Sequence, residues 1–294
     1  MTTYRFIEAE KANHTVRMIC RVLRVSRAAY YAWREAQEAV GVDADARLRV
    51  HVRGLHRASR GTYGSPRMTA ALRKQGVVVN HKRVARIMRE EGLQGAPRRR
   101  FRGSTTDSAH ARPVAPNVLA RDFSVTAPNV AWVGDITYLP VGGGWAYLAV
   151  LIDLYSRKVV GWALDEHMRT ELCLAALDRA VAVRLPTVGL VHHSDRGSQY
   201  ASTEYVEALE RAGIVQSMSR KGNCWDNAVA ESFFGTLEQE LGGRARWTSV
   251  SQARDEVGRW IHDFYNDTRL HSTIGFHSPV EYESLHRASI TEAA

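Results

Sequence analysis

Apolar residues recur at helical spacing through the first hundred positions. Val16, Ile19, Cys20 and Leu23 share one face of a segment spanning 14–24. Val25-Ser26 breaks that pattern, and Ser26 can cap a second helix through Ala28, Tyr31 and Trp33. Two short helices about a tight turn predict a helix-turn-helix. A third helix is predicted over 44–59. Ser65-Pro66 opens a fourth, with Ser as cap and Pro in the first turn, and it stops at Gly76. Asn80 caps a fifth over 81–91, which ends at Gly92. This last pair forms a second helix-turn-helix pattern. Periodicity is lost over 97–129, a stretch rich in Ser, Thr, Pro and Ala that reads as a linker.

Beyond position 129 the period changes. Segments 130–139 and 145–154 are rich in β-branched and aromatic residues, with Gly142-Gly143-Gly144 between them, and 158–164 follows. They predict three consecutive antiparallel strands. Further strands are expected at 188–193 and 215–219. Helices are expected at 170–183, 202–212, 227–241 and 252–265. In the first of these Leu172, Ala175, Ala176 and Ala180 point inward, and Ser249 with Gln252 fits a capping box before the last. The order βββαβαβαα describes one mixed α/β domain. The chain thus divides into segments 1–42 and 43–96, each of helix-turn-helix type, a basic linker 97–124, an α/β domain 125–287 and a tail 288–294.

Composition narrows the function. The chain has 294 residues, 45% of them apolar and 24% charged, ordinary for a folded soluble protein. Its longest apolar run, Trp145 to Ile152, is far short of the roughly twenty residues that cross a bilayer. The N-terminus, with Glu8 and Glu10, does not read as a secretory signal, so a cytoplasmic location is expected. Cys20, Cys173 and Cys224 stand far apart, which disfavours a disulfide framework, a thiol redox motif or a structural zinc site. Net charge is +9, unevenly spread. Residues 1–121 hold 25 Lys and Arg against 9 Asp and Glu, a net +16, while residues 122–294 carry a net −7. One half is therefore suited to a polyanion and the other to separate work. Arg83, Arg86 and Arg89 on the fifth helix, and Arg98, Arg99, Arg100 and Arg102 in the linker, are candidate DNA contacts. Arginine outnumbers lysine 35 to 5, which fits bidentate phosphate contacts but also a GC-rich coding bias.

Three acids carry the candidate chemistry. Asp135 interrupts the strand WVGDITYL, where Asp is disfavoured and costly unless paired or bound to metal. Asp195 directly follows the strand LVHH and precedes Arg196-Gly197, a turn. Loops just past strand ends gather active-site groups in α/β sheets. Glu231 falls on the edge of the apolar stripe made by Ala230, Phe233, Phe234, Leu237 and Leu241. Each acid taken singly could equally cap a turn or form an ion pair. Asp153, beside Ser156 and Arg157 at a strand end, reads as such a structural group. His192 and His193 alternate, one inward and one outward, and suit packing or phosphate contact better than metal ligation. Asn227 can cap its helix, touch substrate, or both.

The motifs WVGDITYL, HHSDRGSQY and NAVAESFFGTL resemble those holding the Asp-Asp-Glu triad of retroviral-integrase-like recombinases. Thirty-five residues separate Asp195 from Glu231, the spacing characteristic of that superfamily. RKGNCWDNAVAESFF and YNDTRLHSTIGFHSPVEY resemble one branch of it, the bacterial insertion-sequence transposases encoded as a second reading frame (OrfB). YGSPRMTAALRKQG resembles their helix-turn-helix segment, and the likeness covers about residues 45–285. It implies a ribonuclease-H-like five-stranded mixed sheet behind an all-α region, binding to the element's terminal inverted repeats and to target DNA, and strand transfer. A homo-oligomeric synaptic complex is expected, and the upstream reading frame's product is a further candidate partner. The family commonly places Lys or Arg seven residues after the glutamate. Here that position is Glu238, so either the task of holding terminal DNA passes to Lys221, Arg244 or Arg246, or the contact is missing. The two-His, two-Cys zinc module of retroviral integrases has no counterpart.

Carboxylate oxygens suit hard divalent cations, Mg²⁺ first and Mn²⁺ as substitute. Two such ions about 4 Å apart, held by Asp135, Asp195 and Glu231, can clamp the attacking and leaving oxygens of an in-line phosphoryl displacement. Deleting residues 1–95 is expected to cost end preference before it costs nuclease chemistry. The rival readings are a helix-turn-helix regulator with an inactive second domain and a ribonuclease-H-type nuclease that does not join ends.

Overall fold

A computed structural model of the chain describes residues 3–39, 45–96, 113–119, 125–220, 227–242 and 247–293. Helices α1 (Thr3–Glu10), α2 (Val16–Val22) and α3 (Arg27–Ala39) open it. They close on a small cluster of Ile7, Ile19, Cys20 and Tyr30. Helix α1 escapes sequence detection because it buries a single residue, Ile7. Helices α4 (Ala46–Ala58), α5 (Ser65–Lys74) and α6 (His81–Glu90) follow. Asn80 caps α6, accepting the Lys82 N–H at 2.8 Å. Helix α5 stops as expected at Gly76, whose φ of 78° lets the Val77 N–H turn back onto the Leu72 carbonyl at 2.9 Å. Gly64, however, occupies the cap position of α5 and Ser65 lies within its first turn.

Strands β1 (Ala131–Val141), β2 (Gly144–Asp153) and β3 (Val159–Asp165) form the expected antiparallel meander. Strands β4 (Val191–Ser194) and β5 (Val215–Met218) join beyond β1 in parallel, giving the order β3-β2-β1-β4-β5. Parallel pairing requires crossovers, supplied by α7 (Thr170–Arg184) and α8 (Thr203–Arg211). Helices α9 (Ala228–Leu237), α10 (Val250–Arg259) and α11 (Pro279–Ala293) complete the chain. This is the ribonuclease-H-like sheet, preceded by an all-α region. Helix α11 takes in positions 288–293, which the sequence reading set apart as a tail. Among the described residues no helix is long and apolar enough to cross a membrane.

Both faces of the sheet are covered. Along β1, Ala131, Val133 and Leu139 join the cluster that includes α9 and α10, while Trp132 and Ile136 join the one built on α7 and α8. A sheet covered on both sides leaves no outward face, so His192 and His193 are both buried, contrary to the expected alternation. In α7 the buried set is Leu172, Cys173, Ala176, Leu177 and Ala180, with Ala175 only half-buried. Two helices change pitch earlier than their apolar periodicity suggests. Helix α9 passes into a π-helical turn at Glu238–Gly242, and α10 into another at Trp260–Asn266. The second turn aims Asn266 at β3, where its amide accepts from the Val159 N–H and donates to the Val159 carbonyl, both at 3.0 Å.

Helices α4 to α6 do not form a core of their own. Leu48, Val52, Met68, Leu72, Val84 and Ile87 belong to one continuous apolar cluster with Trp260, Phe264 and Leu270. The Tyr63 hydroxyl accepts the Leu270 N–H at 2.8 Å and donates to the Thr268 carbonyl at 3.3 Å. Arg67 donates through Nε to the Leu270 carbonyl at 2.9 Å, and Lys74 pairs with Glu281.

Asp153 has the structural role its setting predicts. Fully buried, it accepts the N–H groups of Asn129 at 2.7 Å and of Tyr155 and Ser156 at 3.0 Å. Burial raises its pKa, and these hydrogen bonds together with Arg184 oppose the rise. Asp153→Ala would orphan three backbone donors, that of Ser156 fully buried, and take one of two carboxylates from Arg184. The expected cost is about 3–5 kcal/mol, read as a lower urea midpoint at unchanged slope. A loss below about 1 kcal/mol would remove Asp153 from this role.

Candidate active site

The register of β1 against β4 brings the first two acids level. Ala131 pairs with Val191, Trp132 with His192 and Val133 with His193. Continued two residues further, the same register sets Asp135 beside Asp195, across a strand spacing of about 4.8 Å. Odd-numbered positions of β1 face α9, so Asp135 points to the helix that carries Glu231. Asp135, Asp195 and Glu231 are all half-buried. Each aspartate is held locally. The Ile136 N–H donates to Asp135 Oδ1 at 2.8 Å, and the Gly197 N–H donates to Asp195 Oδ1 at 2.9 Å, closing an Asx turn. Arg196 fixes that turn from outside through Nε on the Ser219 carbonyl at 2.7 Å.

Electrostatics ranks the three. Asp135 titrates well above the ordinary carboxylate range, first through burial, then through the charge of Asp195 and last through that of Glu231. Glu231 is raised by burial alone. Asp135 and Asp195 are therefore the tightly coupled pair, and Glu231 stands further off. Among the described residues no group of three His, Cys, Asp or Glu side chains is close enough to cage a metal ion as the chain stands. The pair nevertheless has the chemistry of a cation site, since it offers hard oxygen donors only.

Asn227 ties the glutamate's helix to the sheet. Its Nδ2 donates to the Gly134 carbonyl at 3.4 Å, one residue before Asp135, and it makes no side-chain cap bond on α9. Glu231 follows one helical turn later on the same face. Asn227 is buried, and its Oδ1 has no partner among the described residues. Gly134 leaves room for the neighbouring strand, since a Cβ there would lie 2.7 Å from His192 Nε2. A glycine inside an apolar strand is the sequence signal for this close approach. His192 is held neutral, its pKa pushed down to about 3 by burial and by His193. It meets the Tyr205 hydroxyl at 3.2 Å on the sheet face away from the acids. His193 sits between the hydroxyls of Ser217 and Ser219, at 2.8 and 3.1 Å. Both histidines pack; neither joins the acids.

The arginines of α6 divide. Arg83 and Arg86 turn onto the buried carboxylate of Asp45, at 2.7 Å from Arg83 Nε and 2.5 Å from Arg86. Arg89 is exposed. Glu238 is exposed at the end of α9. Arg98, Arg99, Arg100, Arg102, Lys221, Arg244 and Arg246 lie outside the described residues.

Family comparisons agree with this layout. Residues 43–101 match a model described as an HTH-like domain, and residues 125–224 and 212–279 match two described as integrase core domain. An insertion element IS600 31 kDa protein of Shigella sonnei is 41% identical over 270 residues, covering 92% of this chain and 99% of that one. The transposase InsF for insertion sequence IS3A of Escherichia coli (strain K12) is 39% identical over 289 residues, covering 97% and 99%. Among solved structures, a simian T-cell lymphotropic virus intasome aligns over 79% of this chain and 74% of its own, at 18% identity and TM-score 0.46. The HTLV-2 integrase catalytic core domain in complex with magnesium aligns over 53% and 97%, at 15% identity and TM-score 0.40. Identity of 39% over nearly the whole of both chains decides the matter: this chain belongs to the IS3 family of insertion-sequence transposases, with an integrase-type catalytic core behind a helix-turn-helix-like segment.

Proposed function

We propose that Asp135, Asp195 and Glu231 are the catalytic, metal-holding residues of DNA-strand cleavage and transfer at the element's ends. The observation that carries this reading is the β1–β4 register, which continued two residues past its last pair sets Asp135 beside Asp195, in keeping with the charge of Asp195 raising the Asp135 pKa. Mg²⁺, two ions per site with Mn²⁺ as substitute, supplies Lewis-acid polarisation of the phosphodiester and offsets the repulsion among the acids. The chain's own part is positional. The Ile136 and Gly197 N–H groups orient the two aspartates, and Asn227 clips Glu231's helix to the strand carrying Asp135. The attacking groups are water at the first cut and a DNA 3′-hydroxyl at the second, so no Ser or Tyr bonds to DNA.

DNA binding falls to the basic half. Arg89, Arg98, Arg99, Arg100, Arg102 and Lys221 meet phosphates, and Arg83 and Arg86 do so by exchanging Asp45 for DNA. Asn227 acts on DNA indirectly, through the placement of α9. The partners are terminal-repeat and target DNA, further copies of this chain, and the upstream frame's product. The setting is the cytoplasm.

Asp195→Asn is expected to abolish cleavage and joining of labelled ends in Mg²⁺ while leaving DNA affinity near wild type. The substitution removes charge without changing shape. Retained cleavage would overturn the assignment. End binding without any Mg²⁺-dependent cleavage by the wild type would favour a regulator, and cutting of RNA–DNA hybrids without joining a nuclease.

A further inference from the structure

A cavity of about 250 Å³ lies between α9 and the loop that follows the second π-helical turn. Arg67, Arg157 and Arg269 line it, together with Ser232, Thr236 and Thr273. All of these except Arg157 also line a larger cleft of about 800 Å³ that reaches Glu231. The cavity is thus the inner end of a groove that runs to the catalytic glutamate.

The three guanidiniums are not equivalent. Arg269 is engaged with the buried carboxylate of Glu240, at 2.9 Å through Nε and again at 2.9 Å through its terminal nitrogen. Arg67 donates through Nε to the Leu270 carbonyl. Arg157 differs from both. Its Nε and Nη1 are buried with no hydrogen-bond partner among the described residues. Asp153, the carboxylate whose charge acts on it, already accepts backbone N–H groups at both of its oxygens. Burial holds the Arg157 pKa below its usual range, against the opposing charges of Tyr265 and Asp153. Its backbone is strained as well, with φ at 64°, a left-handed conformation that glycine would adopt freely. A side chain retained at such a position, with two buried donors unmet, calls for an anion from outside the chain.

We propose that Arg157, with Arg67 and the hydroxyls of Ser232 and Thr273, seats a backbone phosphate of a DNA strand that lies along the groove past Glu231; Thr236, whose hydroxyl donates to the Ser232 carbonyl at 2.9 Å, only lines the wall. The chemistry is that of any phosphate: a fork of N–H donors and O–H donors around one oxyanion. The groove selects the source, because a strand can fill the cleft and the cavity together and free phosphate fills only the cavity. The proposal rests on the reading that this chain handles DNA, but not on the carboxylate assignment.

The test uses the full-length chain in EDTA, so that no cleavage chemistry enters. Arg157→Gly removes the guanidinium and relieves the φ strain, so its thermal midpoint is expected to equal or exceed wild type. Its affinity for a fluorescent mixed-sequence duplex should fall about tenfold, with the slope of log K against log salt shallower by about 0.9. Arg157→Lys, which keeps the charge, should retain the slope. Unchanged affinity and slope in Arg157→Gly would overturn the proposal. So would inorganic phosphate raising the wild-type midpoint while DNA binding ignores the substitution, which would make this a free-anion pocket. Should the glycine variant fold less well, Thr273→Val reads the same seat from its other wall, and wild-type affinity in that variant would equally overturn it. A loss of DNA binding here says nothing about the metal site, and loss of cleavage in Asp195→Asn says nothing about Arg157.

Discussion

Asp135→Asn is expected to reduce strand cleavage by at least about 10³-fold, the scale of losing a group that acts on the transition state, and yet to stabilise the metal-free protein. The two effects share one cause. Asp135 sits between burial and two like charges, which hold its carboxyl well above the ordinary carboxylate range. A raised folded-state pKa means that the folded chain binds the proton more tightly than the unfolded chain. The associated stability is therefore fully present in acid, below the unfolded carboxylate's pKa, and is lost as pH rises through the raised value. The amide carries no such charge, so the variant's midpoint should match wild type in acid and exceed it at neutral pH and above. Mg²⁺ should reverse the order. A cation at a hundred times its Kd adds about 2.7 kcal/mol to a protein that binds it only when folded, and the variant should lose most of that gain. Thermal unfolding across pH, with Mg²⁺ and with EDTA, reads all three arms. Equal midpoints at every pH, or an undiminished Mg²⁺ shift in the variant, would refute the assignment.

Asp135 and Asp195 are legible in the sequence because a carboxylate inside or just beyond a buried strand has few inexpensive structural roles. Their adjacency is not legible. It depends on the register of β1 against β4, two strands far apart in the chain, and no local propensity sets that pairing. Glu231 lies on an amphipathic edge that many solvated glutamates share, and only its spacing from Asp195 within a resemblance singles it out. The glycine stops at Gly76 and Gly92 and the Asn80 cap are local events, and the chain forms them where the residues say. The π-helical turns leave no such mark. Apolar periodicity continues through Trp260, Ile261 and Phe264, and the extra residue per turn is fixed by Asn266 reaching β3. His192 and His193 mislead for the opposite reason. An alternating polar position predicts an exposed face only if the sheet has one, and helices cover this sheet on both sides.

Truncation at position 45 and truncation at position 97 are expected to have opposite outcomes. Helices α1 to α3 close on their own small cluster, so a chain beginning at residue 45 keeps the main core whole. A chain beginning at 97 loses α4 to α6, and with them a large part of a shared interior. Phe264 loses the Arg60 guanidinium 5.0 Å above its ring, and Leu270 loses Tyr63 from both its backbone and its apolar surroundings. Uncovering two large side chains costs about 3–6 kcal/mol at 1.5–3 kcal/mol each, before the orphaned Leu270 N–H and carbonyl are counted. Against a total stability of about 5–15 kcal/mol that loss is a large fraction, and the rest of the shared α4–α6 interior is lost with it. The chain from 97 should bind ANS, elute as aggregate and show no cooperative transition, whereas the chain from 45 should unfold cooperatively and still cleave DNA. This revises the expectation drawn from sequence, that removing residues 1–95 costs end preference before nuclease chemistry. Because α5 packs on the segment that carries Thr268, Leu270 and Glu281, the helix-turn-helix-like segment cannot be removed without unmaking the wall of the catalytic groove. A monomeric, cooperatively folding chain from 97 to 294 would show that the two parts are separable after all.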